Sequence, residues 1–220
     1  MDAEKIRRYI TDLLPIVGIR PVMDMSDELI QLYARTDYTG MMGLMQRHIA
    51  LGVRIQMAYV KSGGPDAPIW TESPSPFPED ETKAKVTVFV RKSYLEGRTF
   101  PEIAILLAYI LAVVCLMARR KGETTPDNHT ICITAMMLGF GQFFRDGITD
   151  TPMQSESELA ELRVLGMPPE LLEKLRRFQD ASEDHPMKTD QGPGHESWIS
   201  PKEVAHILET IEEKRNSVMR

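Results

Sequence analysis

Few groups in this chain can do chemistry, and they are scattered. Its five histidines are His48, His129, His185, His195 and His206. No two stand four apart, the spacing that puts two imidazoles on one helix face around a metal. His129 and Cys132 are three apart and could share a metal, but two ligands do not complete a site. His129 near a helix start reads as solvated, and His185 and His195 read as exposed in a loose polar stretch. Asp146 and Asp150 flank Gly147; they could do acid–base work only if the fold closed a cleft around them, and they read as solvated. Cys132 would need a nearby cation to become a nucleophilic thiolate, and its neighbours Ile131 and Ile133 supply none. There is no phosphate-binding loop, dinucleotide fingerprint, Gly-x-Ser-x-Gly elbow or Cys-x-x-Cys. Gly139-Phe140-Gly141 lies at the wrong end of a helix to cradle phosphate and reads as a helix-packing feature.

Composition narrows the class. A chain of 220 residues holds one large domain, or one domain and an appendage, and buries a core without disulfides. Cys115 and Cys132 sit inside apolar runs, where free cysteine behaves as a small hydrophobe, and a reducing, cytoplasmic setting suits them. The net charge of −6, with Arg119-Arg120-Lys121 as the one basic triplet, gives no footprint for nucleic acid. That triplet reads as a solvated helix end, where cations suit the dipole. The acidic start, broken at Asp12 and Pro15, is not a secretory signal. The uncharged run Ile103 to Ala118, 16 residues bounded by Glu102 and Arg119, falls short of the roughly 20 that span a bilayer. No membrane is therefore expected.

The elements that must position these groups follow from periodicity. Ala3 to Leu14 reads as a helix with Ile6, Ile10, Leu13 and Leu14 on one stripe, stopped by Pro15. Ser26 caps a short second helix to Ala34. Leu51, Val53, Ile55, Met57 and Tyr59 alternate with smaller or polar residues as a half-buried strand does. Lys61 to Asp66 reads as a turn, Ile69 to Glu72 as a short strand, and Ser73 to Thr82 as a surface loop. Val86 to Val90 is a second clear strand with Val86, Val88 and Val90 on one face. A long helix from Phe100 to Arg119, with Pro101 in its first turn, is apolar all round and must be buried on most sides. A second apolar helix runs from Asn128 to Phe144 and closes near Gly147. Beyond a boundary at Thr149 to Ser155 come short amphipathic helices at Glu156 to Leu165, Pro168 to Asp180 and Pro201 to Lys214, the last with a Ser200/Glu203 capping box. The expected fold is α+β. A small antiparallel or mixed sheet packs on a central apolar helix within residues 1–150, and residues 151–220 form a helical C-terminal extension.

Taken as a unit, residues 38–147 resemble small bacterial proteins of the zincin metallopeptidase type. The order is a strand pair, a Pro-rich loop, an edge strand, a long helix, and a second helix ending in a small-residue turn. The clearest match is Thr134-Ala135-Met136-Met137-Leu138-Gly139-Phe140, against the family's Thr-Ala-Met-Leu-Leu-Gly-Phe. In active members the long helix carries His-Glu-x-x-His: two histidines hold zinc and the glutamate activates water. Aligning LAYILAVVCL to that segment sets Tyr109 at the first histidine, Ile110 at the glutamate and Val113 at the second histidine. Cys132 falls where the second helix would carry an acid. All four positions depart from the family's pattern, so the resemblance implies a zincin-like scaffold whose metal site has been erased.

That reading implies a non-catalytic pseudo-metallopeptidase acting as a protein-interaction or regulatory module, more a binder than an enzyme. No metal or other cofactor is expected, and the partner is a protein or peptide. The strand of Val86, Val88 and Val90, taken as an edge strand, would accept a peptide by strand addition, and the C-terminal helices could provide a homodimer contact. The competing reading is a hydrolase working with non-standard groups near Tyr109 and Cys132.

Overall fold

The computed structural model describes residues 1–61, 69–120, 126–148 and 199–218. The turn at 62–66, the Thr149–Ser155 boundary, the helices expected at 156–165 and 168–180, and Asp150, His185 and His195 lie outside the described residues. The chain is α+β: helices hold 63 % of the described residues and strands 12 %, so helices build most of the core and the sheet is the minor layer.

Helix α1 spans Ala3–Val17, α2 Asp27–Ala34 and α3 Tyr38–His48. Strand β1 spans Arg54–Val60, β2 Ile69–Glu72 and β3 Lys85–Arg91. After a single turn, α4 at Lys92–Leu95, comes α5, Phe100–Arg119. Helix α6 covers Asn128–Ala135, α7 Gly141–Gly147 and α8 Pro201–Val218. Between α6 and α7, within Met136–Phe140, the chain kinks at Gly139 (φ 99°, ψ 2°). The sheet order is β1-β3-β2, with β1 parallel and β2 antiparallel to β3. The sheet is therefore mixed, and β3 is its middle strand.

Local chemistry explains most helix ends. Ser26 Oγ accepts from Leu29 N at 3.3 Å, as expected of that cap. Asp37 and Asp127 do the same for α3 and α6, accepting from Gly40 N at 2.8 Å and Thr130 N at 2.7 Å. Glu102 reaches back to Thr99 N at 2.7 Å and closes the start of α5. The Ser200/Glu203 box closes α8, with Ser200 N donating to Glu203 Oε2 at 2.8 Å, and α8 continues one turn past Lys214. Pro15 does not stop α1; it sits in the last turn, and the helix ends two residues later with Gly18 N donating to Leu14 O. The ring costs one main-chain bond there, but Val17 is 2 % exposed, and its burial holds the extra turn.

Helix α3 escaped the periodicity reading because its sequence, YTGMMGLMQRH, carries two glycines and no clean apolar stripe. Tertiary burial of Met41, Met42 and Met45 makes it a helix. Its presence shortens the expected strand: β1 begins at Arg54, and Leu51 and Val53 are buried before it. The Pro-rich loop is also not wholly on the surface, since Phe77 is buried.

Helix α5 is the axis of the core. Thirteen of its 20 residues are buried, with α1, α3, α6 and α7 against it. It is the one helix among the described residues long and apolar enough to cross a membrane, but 72 % of its apolar window is buried within the domain, as in a core helix. Of the basic triplet at its end Lys121 lies outside the described residues, and Arg119 is more than a solvated cation: its Nη1 donates to Ile16 O at 3.0 Å and Val17 O at 3.4 Å, at the last carbonyls of α1. Helix α8 adds Val204, Ile207 and Ile211 to the same core cluster.

The break at Gly139 organises the other end of the core. The segment after α1 binds its carbonyls: Arg20 N donates to Met137 O and Met23 N to Gly139 O, each at 2.8 Å. His48 Nε2 lies 3.1 Å from Pro21 O, and Arg215 Nη2 donates to Arg20 O at 2.8 Å. A Cβ on Gly139 would strike Pro21 O, and one on Gly141 would strike Leu208 of α8, so Gly139-Phe140-Gly141 is a packing feature, as its sequence position implied.

Two outcomes test this account. Gly139→Ala combines a left-handed backbone with a main-chain clash and is expected to cost ~3 kcal/mol or more in denaturant unfolding; a change under 1 kcal/mol would show that the break relaxes freely. Burial alone would raise the Glu203 carboxyl, but its bonds from the Met1 amine and Ser200 outweigh this and hold it at about 2, below its ordinary 4.5. Its stabilising share is therefore full above pH 4.5 and lost as pH falls toward 2. Glu203→Gln should flatten the acid limb of a melting-temperature-against-pH profile across that window.

Candidate functional site

The four positions set against a metal-binding helix divide in the structure. Tyr109 and Val113, one turn apart on α5, share its half-buried face, while Ile110 is 3 % exposed and points into the core. Cys132, on α6, is 2 % exposed. Cys132 is close enough to act on the Tyr109 phenol electrostatically, so α5 and α6 do bring these two together.

The centre is not wholly apolar. Tyr109 Oη donates to Asn128 Oδ1 at 2.7 Å, and Asn128 lies one turn before Cys132 on α6. Beside it, Asp127 caps α6 and accepts from Tyr9 Oη at 3.1 Å, and Lys5 lies 6.0 Å from the Tyr9 ring. Sequence reading missed Asn128, Asp127 and Tyr9. The signal for Asp127 was its N-cap position; nothing local linked Tyr9 to it, since 118 residues separate the two.

Electrostatics make these groups poor reagents. Burial first, then the neighbouring Cys132, pushes the Tyr109 phenol up to about 12. Burial, then the Asp127 carboxylate, pushes the Cys132 thiol up to about 12 as well. Both are protonated at neutral pH, and the Asp127 charge disfavours the thiolate that nucleophilic attack requires. Burial would raise Asp127 itself, but bonds from Thr130 and Tyr9 win and lower it. Cys115 is likewise raised by burial. As a metal donor set, a phenol, a carboxamide and a single thiol fit Zn²⁺ badly, because zinc takes three or four thiolate, imidazole or carboxylate ligands.

The remaining candidates lie apart. His129 is half-buried beside Asp127, and its charge acts on that carboxylate. Asp146 is held by Gln142 Nε2, which donates to both its oxygens at 2.7 Å. His48 serves the Gly139 junction, and His206 faces Glu209 across 3.7 Å. Among the described residues, no three or more His, Cys, Asp or Glu side chains are grouped to hold a metal ion. A hollow of about 530 Å³ lined by Gly43, Gln46, Arg47, Ala50, Leu51 and Gly52 contains no acid or nucleophile. Thr134, first of the Thr-Ala-Met stretch, buries its hydroxyl without a partner among the described residues.

Val86, Val88 and Val90 do not form a peptide-accepting edge. β3 is bonded to β1 on one side and β2 on the other, and all three valine side chains are fully buried. A middle strand has no free main-chain groups to offer a peptide. The sheet's opposite face carries Trp70 stacked on Phe89 (5.1 Å, 9°), with Arg91 5.9 Å from the indole.

No family model, no curated protein and no solved structure matches this chain.

The protonated, buried thiols give a direct test. Iodoacetamide at pH 8 is expected to leave both cysteines of the native protein unmodified and to alkylate both in denaturant, read by intact mass. Rapid native labelling of Cys132 would contradict the geometry above.

Proposed function

We propose that this chain is a non-catalytic member of the metallopeptidase-like class: a zincin-type scaffold whose centre has become structural, used in the cytoplasm as a protein-interaction or regulatory module. The observation that carries this reading is the Tyr109–Asn128 hydrogen bond beside a protonated Cys132. Where the resemblance sets a metal and its activated water, this protein has neutral side chains that satisfy one another. Such a centre stabilises α5 against α6 without the desolvation cost of a buried charge. A hydrolase using Tyr109 or Cys132 would need a base or cation to depress one of them, and the nearest charge, Asp127, acts in the opposite direction.

Binding must then use surfaces other than β3. The described structure offers the Trp70–Phe89 face with Arg91, where a protein or peptide partner would find aromatic area.

Elemental analysis of purified protein at known chain concentration tests the reading, together with hydrolysis of a fluorogenic peptide library with and without added Zn²⁺. The expected result is substoichiometric metal and no cleavage above the no-protein control. One zinc per chain, or zinc-dependent cleavage, would return an enzyme to first place.

A further inference from the structure

Among the described residues, strand β1 is an unguarded sheet edge. Its sequence, RIQMAYV, has one charge, Arg54, at its first position and no proline, glycine or lysine. Its register with β3 runs unbroken from Arg54↔Lys85 to Val60↔Arg91, so no bulge twists the edge away. Proteins ordinarily protect such edges with charges, prolines, bulges or very short strands. The opposite edge follows that rule: β2 has four residues and ends in Glu72.

The register shows which groups face outward. Arg54 N donates to Ala84 O at 3.0 Å, so the main-chain groups of Arg54, Gln56, Ala58 and Val60 point toward β3. Those of Ile55, Met57 and Tyr59 point away from it. Among the described residues, no main-chain bond outside the sheet uses the N–H of Ile55, Met57 or Tyr59. Their side chains lie on the face of Val86, Val88 and Val90. Ile55 and Met57 are half-buried, and Tyr59 is 46 % exposed.

We infer that the β1 edge pairs with the β1 edge of a second copy of this chain, antiparallel about a two-fold axis through Met57. This register makes all three outward-facing residues hydrogen-bonded partners: Met57 with its own copy, and Ile55 with Tyr59 in both directions, for about six main-chain bonds. The side-chain pairs are complementary. Tyr59 covers Ile55, methionine meets methionine, Gln56 sits beside Ala58, and Arg54 falls opposite Val60. No like charges oppose one another, and aromatic–aliphatic cross-strand pairs of this kind favour pairing. The two sheets become one of order β2-β3-β1-β1-β3-β2, and the exposed tyrosine is covered. A one-residue slip would remove the Met57 pairing and turn inward-facing groups toward the partner. This pairing does not depend on the reading of the Tyr109 centre, and its test does not involve metal or peptidase activity.

Sedimentation equilibrium of the full-length chain, with charge-swap variants at the axis, decides the question. Wild type is expected at twice the chain mass of 25.0 kDa. Met57→Lys and Met57→Glu, each placing like charges directly opposite, are expected to sediment as monomers with unchanged far-UV circular dichroism. An equimolar mixture of the two is expected to restore the dimer through opposite charges, an outcome that misfolded variants cannot produce. Wild type sedimenting as a monomer, single variants that stay dimeric, or a mixture that stays monomeric would each overturn the inference.

Discussion

The conformation of Gly139 is the constraint on which much of this domain depends. A positive φ in the middle of an apolar helical run turns the chain at Gly139 and presents the carbonyls of Met137 and Gly139 to the segment after α1. Buried carbonyls must be satisfied, and the segment after α1 supplies the donors from Arg20 and Met23. Once that segment is fixed, its own carbonyls need partners. His48 of α3 lies against Pro21 O, and Arg215 of α8 reaches Arg20 O. One backbone angle thus ties the first helix, the third, the broken pair and the last into a single hydrogen-bonded junction.

The same economy governs α5. An all-apolar helix needs neighbours on nearly every side, and α1, α3, α6 and α7 provide them. Arg119 then uses its guanidinium to close the end of α1, so a charge at the end of the most apolar segment becomes a clamp between helices. On the face of α5 that is only half-buried, the Tyr109 hydroxyl meets Asn128.

Where local patterns carried the information, the reading of elements from sequence agreed with the structure. Ser26, the Ser200/Glu203 box and Pro101 mark helix starts through short-range sterics and hydrogen bonds, and Val86, Val88 and Val90 define a buried face because side chains alternate along a strand. Helix α3 was illegible, since its glycines and scattered methionines acquire helical order only from burial. Pro15 misled because proline's local penalty was outweighed by the packing of Val17.

The sequence by itself determined the α+β class, the long buried helix, the lack of histidine on α5, and the core placement of both cysteines. Each follows from residue type and spacing along a few turns of chain. Only the tertiary structure decided that β3 is the middle strand, because strand order depends on pairings between segments far apart in the chain, and a run of valines looks the same at an edge or in the centre. It also decided that Tyr109 meets Asn128, that burial and then Asp127 raise the Cys132 thiol, and that Gly139 breaks its helix. Those outcomes depend on which groups are brought within a few ångströms once the core closes.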